Sequence, residues 1–232
     1  TTVDTLSVSL NGFKMPAEKA GDVAGKLFKA MELGRFQFAD MSDTMGRVIP
    51  IAEELGVSIE EILGPISTMS RSGVRFDTSV TQMRAVISQV LKPTEALKKI
   101  FQEDWGVANV QQAMDKFGGF MPMLKALEDG FNGDKTAAAA VFTNLRAFTG
   151  VMSVLGKNYE NVIRDTALIK AANAETAQGM YDLVKATPGQ QYIETLNKIN
   201  VNFALIGQNA LPVLNAVMGA IEKLTGAFSA LG

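Results

Sequence analysis

The stretch IAEELGVSIEEILGPISTMSRSG, residues 51–73, decides the fold class. A helix runs out at Leu55, Gly56 supplies the left-handed residue that ends it, and Ser58 opens the next. Glu61 stands three residues after Ser58, the reciprocal arrangement of a capping box. Ile59, Ile62, Leu63, Ile66 and Met69 follow at helical spacing, and Gly73 ends the run. Two helices about a Gly turn have the outline of a DNA-reading helix-turn-helix. The charges argue against that use. The second helix begins Ser58-Ile59-Glu60-Glu61, which sets two carboxylates where such a motif meets phosphate, and no Lys or Arg lies between Ile51 and Ser70. Pro65, directly after Gly64, further spoils a straight recognition helix. Mutual packing through Leu55, Val57, Ile62 and Ile66 explains the pattern without nucleic acid, so no sequence-specific nucleic-acid binding is expected.

Outward from this pair the chain reads as all-α. Residues 1–12 alternate loosely at Val3, Leu6, Val8 and Leu10, which suggests a short extended arm. A helix is expected from Pro16 to Leu33, with Gly34 just past its end. Another is expected from Phe36 to Leu55, kinked or split at Pro50. After Gly73 the segment Phe76–Ser79 restarts a helix through Val80, Met83, Ile87, Val90 and Leu91. Pro93 opens one that closes at Trp105-Gly106, and residues 107–131 read as two short helices broken at Gly118-Gly119. Asn132-Gly133-Asp134 is a turn. Residues 135–156 and 158–186 then read as two long helices, and a last helix runs from Gln190 to about Leu231. These breaks divide the chain into an N-terminal arm and helix (1–34), a multi-helix core (35–131), two long helices (132–187) and a C-terminal helix (188–232).

The last helix has the most regular pattern. Tyr192, Leu196, Ile199, Phe203, Ile206, Ala210, Val213, Val217, Ala220, Leu224, Ala227 and Leu231 alternate spacings of four and three, the condition for a coiled-coil seam. Tyr192, Leu196, Ile199, Phe203, Ile206, Val213, Val217 and Leu224 form the candidate oligomer seam, bent at Pro212. The same pattern also suits a helix folded back on its own core. Residues 201–232 carry only Glu222 and Lys223 as charges, yet Asn202, Gln208, Asn209 and Asn215 interrupt the run of roughly 20 apolar residues that a stable span needs. Conditional membrane contact through residues 190–232, as in a pore-former, is the alternative reading.

Composition removes most chemistry. The chain has no His and no Cys, which excludes Ser-His-Asp triads, zinc–thiolate sites and cysteine nucleophiles. The formal net charge is −2, and acids balance bases in residues 1–50 and again in 51–100, so no basic face is present for phosphate. The paired acids Glu53/Glu54, Glu60/Glu61, Glu103/Asp104 and Glu128/Asp129 project about 100° apart on a helix and do not converge. They read as first-turn or solvated charges. The segment from Asp129 to Asp134 lacks the acidic spacing and closing Glu of a calcium loop. The twelve Met suit gap-filling in a core. No catalytic residue, metal site or cofactor is expected. The chain opens on Thr1 without a basic leader and reads as a piece of a longer protein.

The order of these marks resembles the core region of phage tail tape-measure proteins. Gly56-Val57-Ser58, Glu60-Glu61, Gly73, Thr81-Gln82-Met83-Arg84 and Leu91-Lys92-Pro93 follow the family's punctuation, as do VFTNLRAFTGVMSVL (141–155) and IGQNALPVLNAV (206–217). In the family, Phe-Gly often follows the central helices, whereas here Phe142 precedes Thr143. The resemblance implies a structural virion protein of the tail tube lumen or tail tip that sets tail length and leaves before or with the genome. It also implies a homo-oligomer, with a trimer favoured over a hexamer. Its partners would be the tail tube and the tail-tip or baseplate hub, with host membrane contact during ejection.

Overall fold

The computed structural model describes residues 2–42 and 44–179. Helix is the regular structure throughout, and no strand occurs among the described residues. The helices are α1 (Thr2–Gly12), α2 (Ala20–Gly34), α3 (Phe38–Ser42), α4 (Ile49–Leu55), α5 (Ile59–Arg71), α6 (Phe76–Leu91), α7 (Glu95–Lys99), α8 (Val110–Phe117), α9 (Phe120–Phe131), α10 (Lys135–Val141), α11 (Leu145–Val154) and α12 (Tyr159–Ala171). Short 3-10 turns precede α2, α4 and α12, and a π-helical turn at Ile100–Asp104 continues α7.

Helix α5 is the centre. Residues 62–69 are buried without a break, and so are Ile59 and Glu60. A helix apolar on every side must be covered on every side, and α2, α6, α11 and α12 all pack on it. Pro65 sits inside α5 without breaking it. The preceding residue is Gly64, whose missing Cβ removes the clash that usually drives the residue before Pro out of helical geometry. The same absence lets α12 approach, because a Cβ on Gly64 would meet the Thr166 side chain and lie 2.9 Å from its Cα. On α2, a Cβ on Gly25 would strike the Asn173 carbonyl, and one on Gly21 would lie 2.9 Å from Ala174 Cβ. Small residues thus bring α2, α5 and the end of α12 close together. At the far side Gly150 of α11 sits against Gln82 and Val86 of α6. Aromatic contacts fill the periphery: Phe28 meets Phe38 edge-on, and Trp105 lies between Phe101 and Phe117.

Several expected boundaries are corrected. Residues 2–12 form α1, not an extended arm. Thr5 and Ser9 are both buried and four apart, and the Ser9 hydroxyl donates to the Thr5 carbonyl at 2.8 Å, a helical contact that simple alternation hid. The left-handed residue ending α2 is Arg35 (φ 56°), while Gly34 lies buried within the helix against Phe36 and Ser67. The helix over 36–55 is split, as Pro50 led us to expect, into α3 and α4, but the break precedes Pro50, which sits in the first turn of α4. The expected long helix 135–156 is two helices. Phe142 turns inward and Asn144 restarts the chain by accepting from the N–H groups of Arg146 (2.9 Å) and Ala147 (3.3 Å). The helix from 158 also stops early: α12 ends at Ala171, and Asn173 caps a further helical run from residue 174 to 179 by accepting from Thr176 N–H at 3.1 Å. The C-terminal seam from Tyr192 to Leu224 lies outside the described residues.

Candidate functional site

The helix-turn-helix outline is present as geometry. Gly56 ends α4 with φ 75°, and Val57 and Leu55 are buried behind it. Ser58 Oγ accepts from Glu61 N–H at 3.3 Å, and Glu61 Oε2 accepts from Ser58 N–H at 3.2 Å. Gly73 has φ 96° just beyond α5. Ser58 is exposed, but the first turn of α5 is not free as a recognition helix must be. Its two acids are engaged by α2 and by the start of α9.

The two carboxylates there are first-turn charges, and they serve different neighbours. Glu61 makes a third bond beyond its cap: Oε1 accepts from Phe120 N–H at 2.9 Å, tying the start of α9 to the start of α5. Gly119 permits this, since its φ is 136° and a Cβ there would lie 2.8 Å from Glu61 Oε1. Glu60 is buried and pairs with Lys26 of α2. Burial pushes its carboxyl pKa up, but the Lys26 hydrogen bond, the Glu60 backbone N–H, the Lys26 charge and Ser58 outweigh this and hold it below the ordinary value.

A second polar junction lies farther along α5. Asp165 of α12 is fully buried. Its Oδ2 accepts from Thr68 Oγ1 at 2.8 Å and pairs with Arg71 Nη1 at 2.7 Å, while Oδ1 pairs with the exposed Arg164 at 3.0 Å. Arg71 also donates to the Leu33 carbonyl near the end of α2 at 3.1 Å. Three helices therefore meet at one carboxylate and one guanidinium. Ser67 donates to the Ala30 carbonyl at 3.0 Å one turn away. Sequence reasoning missed Asp165, because between Arg164 and Thr166 it reads as one more surface charge.

These groups bind helices to one another rather than a substrate. Asp165 is fully buried and Glu60 nearly so. A surface cavity of about 180 Å3 is lined by Asp77, Thr78, Thr81, Gln82 and Arg146; it includes no residue of either junction and no nucleophile–base pair. Among the described residues, no cluster of acids is placed to hold a metal ion, and no helix is long and apolar enough to cross a membrane. The candidate seam residues of the C-terminal stretch lie outside the described residues.

The comparisons with known proteins point to the phage tail. The tape measure protein of Pneumococcus phage Dp-1 is 28% identical over 240 residues, covering 97% of this chain and 20% of that protein. The probable tape measure protein of Escherichia phage P2 is 24% identical over 192 residues, covering 72% of this chain and 21% of that protein. The chain spans about a fifth of the length of these curated relatives. No solved structure matches it. The family model described as phage-related minor tail protein matches residues 1–146, from α1 into the first turn of α11, a stretch that includes the whole of α5 and both sides of its capped N-terminus. The chain belongs to the phage-related minor tail protein family and, with it, to the structural parts of the phage tail.

Proposed function

We propose that this chain is a folded segment of a tape-measure protein, which sets tail length inside the tube and is ejected before or with the genome. The observation that carries this reading is the match of nearly the whole chain to part of a named tape measure protein. The described residues suit the role. Glu60, Glu61, Arg71 and Asp165 join helices, and acids and bases nearly balance along the chain. Copies would associate through the C-terminal seam, as a trimer in preference to a hexamer, with the tail tube and the tail-tip hub as neighbours. Catalysis has no part in this reading.

The test is an immunoblot of purified particles with an antibody raised against residues 2–179. The reactive polypeptide should be far larger than 24.9 kDa in full particles and absent from particles that have released their genome. A polypeptide retained after release, or absent from full particles, overturns the reading.

A further inference from the structure

Helix α11 carries an apolar stripe that the described residues cover only in part. Leu145 is 77% exposed, Met152 is 37% exposed, and Phe148 between them is half-buried. Their spacings of three and four place them within about 60° of one another on the helix, and the row continues inward to buried Leu155. Arg146 is the only charged residue of α11. The other exposed large apolar residues, Ile163 and Leu168 of α12, are five apart and do not share a face.

The stripe has the periodicity of one half of a heptad seam, and the same chain carries the other half. Tyr192, Leu196, Ile199, Phe203 and Ile206 repeat at four and three in a stretch outside the described residues. We propose that Tyr192–Ile206 docks along Leu145, Phe148 and Met152 of its own α11, which narrows the seam between copies to Val213, Val217 and Leu224.

Two magnitudes select the occupant. The stripe is about 10 Å long at 1.5 Å per residue, and three side chains fall far short of the roughly 800 Å2 per partner that a stable interface between separate chains buries. A weak contact suffices when its two sides are tethered. Residues 180–191 can span up to about 40 Å, wider than the radius of a domain this size, and such a tether supplies an effective concentration near the millimolar range.

The experiment uses the full 232-residue chain with a photo-crosslinking benzophenone side chain at position 145, and a second chain with it at position 163 as control. Irradiation at position 145 should give a product of unchanged mass whose peptides join 145 to the 192–206 segment, and position 163 should not. In parallel, Leu145→Asp should speed tryptic cleavage after Lys198 about tenfold, the change that loss of roughly one buried leucine contact implies. A product of doubled mass identifies a second copy as the occupant and overturns the proposal. So does the absence of any crosslink to 192–206, or cleavage after Lys198 at the parent rate in Leu145→Asp.

Discussion

Removing the Asp165 carboxylate should cost more than any single apolar truncation on α12. In Asp165→Ala, Thr68 loses the acceptor at 2.8 Å and Arg71 loses its partner at 2.7 Å. The Arg71 side chain is only 25% exposed, so its charge cannot be fully rehydrated without α12 lifting from α5. Breaking a buried pair by deleting one member costs about 3–5 kcal/mol, and the orphaned hydroxyl lies within that figure. With about 4 kcal/mol lost and a urea m-value of about 2.5 kcal/mol per molar, the unfolding midpoint should fall by roughly 1.6 M. In a domain of this size Tm should fall by roughly 8–16 °C. Asp165→Asn keeps the volume and one acceptor and should cost about half as much. Arg164→Ala removes a partner that is 55% exposed and should change stability by about 0.5 kcal/mol or less. Equilibrium unfolding in urea at neutral pH, followed by far-UV circular dichroism, orders the three variants. A loss below about 1 kcal/mol for Asp165→Ala, or a loss for Arg164→Ala as large as for Asp165→Ala, would show that the junction does not hold α12 to α5.

Two further outcomes follow from the first turn of α5. Glu61→Ala removes both its half of the capping box and the acceptor of Phe120 N–H, and should destabilise by roughly 2 kcal/mol in thermal unfolding; Glu54→Ala serves as the comparison and should leave Tm nearly unchanged. For Glu60, the carboxyl is held below its ordinary pKa in the folded chain, so the stability it adds is complete above the ordinary carboxyl range and is lost as pH falls through the folded value. Lys26→Met leaves a buried carboxylate unpaired, so its deficit, about 3 kcal/mol at pH 7, should narrow as pH is lowered and Glu60 takes up a proton. Urea unfolding of parent and variant at pH 7 and pH 4 reads the gap, and a gap that widens on acidification would contradict the pairing.

What was legible in the residues was local. Gly56, Ser58 and Glu61 make a turn and a cap within six residues, and that chemistry needs nothing from elsewhere in the chain. The unbroken burial of α5 was not legible, since its covering helices come from both ends of the described chain. The long helices expected over 135–156 and 158–186 were misread for a related reason. Apolar spacing runs through Phe142 and Ala172 without interruption, but Asn144 and Asn173 each offer a side-chain oxygen to two or more groups of the next turn, and a cap there competes with helix continuation. An Asn within a periodic run, followed by a small residue or Thr two or three places on, was the signal available in the sequence.

The adjacent acids show how far such local reading reaches. Neighbouring residues on a helix point about 100° apart, which sends Glu60 and Glu61 to different neighbours. The same divergence is what lets them join two different helices to α5: Glu60 turns to Lys26 of α2, and Glu61 turns to the start of α9. Neither partner is recognisable from its own neighbourhood. Gly118-Gly119 marks a break between helices by any sequence rule, yet Gly119 is the position where a side chain would displace the Glu61 carboxylate. The pair of glycines therefore does two jobs, reversing the chain and leaving room for an acid that lies 59 residues before its partner Phe120. That second job ties the family-matched region into one packed body, and only the folded chain brings its two halves together.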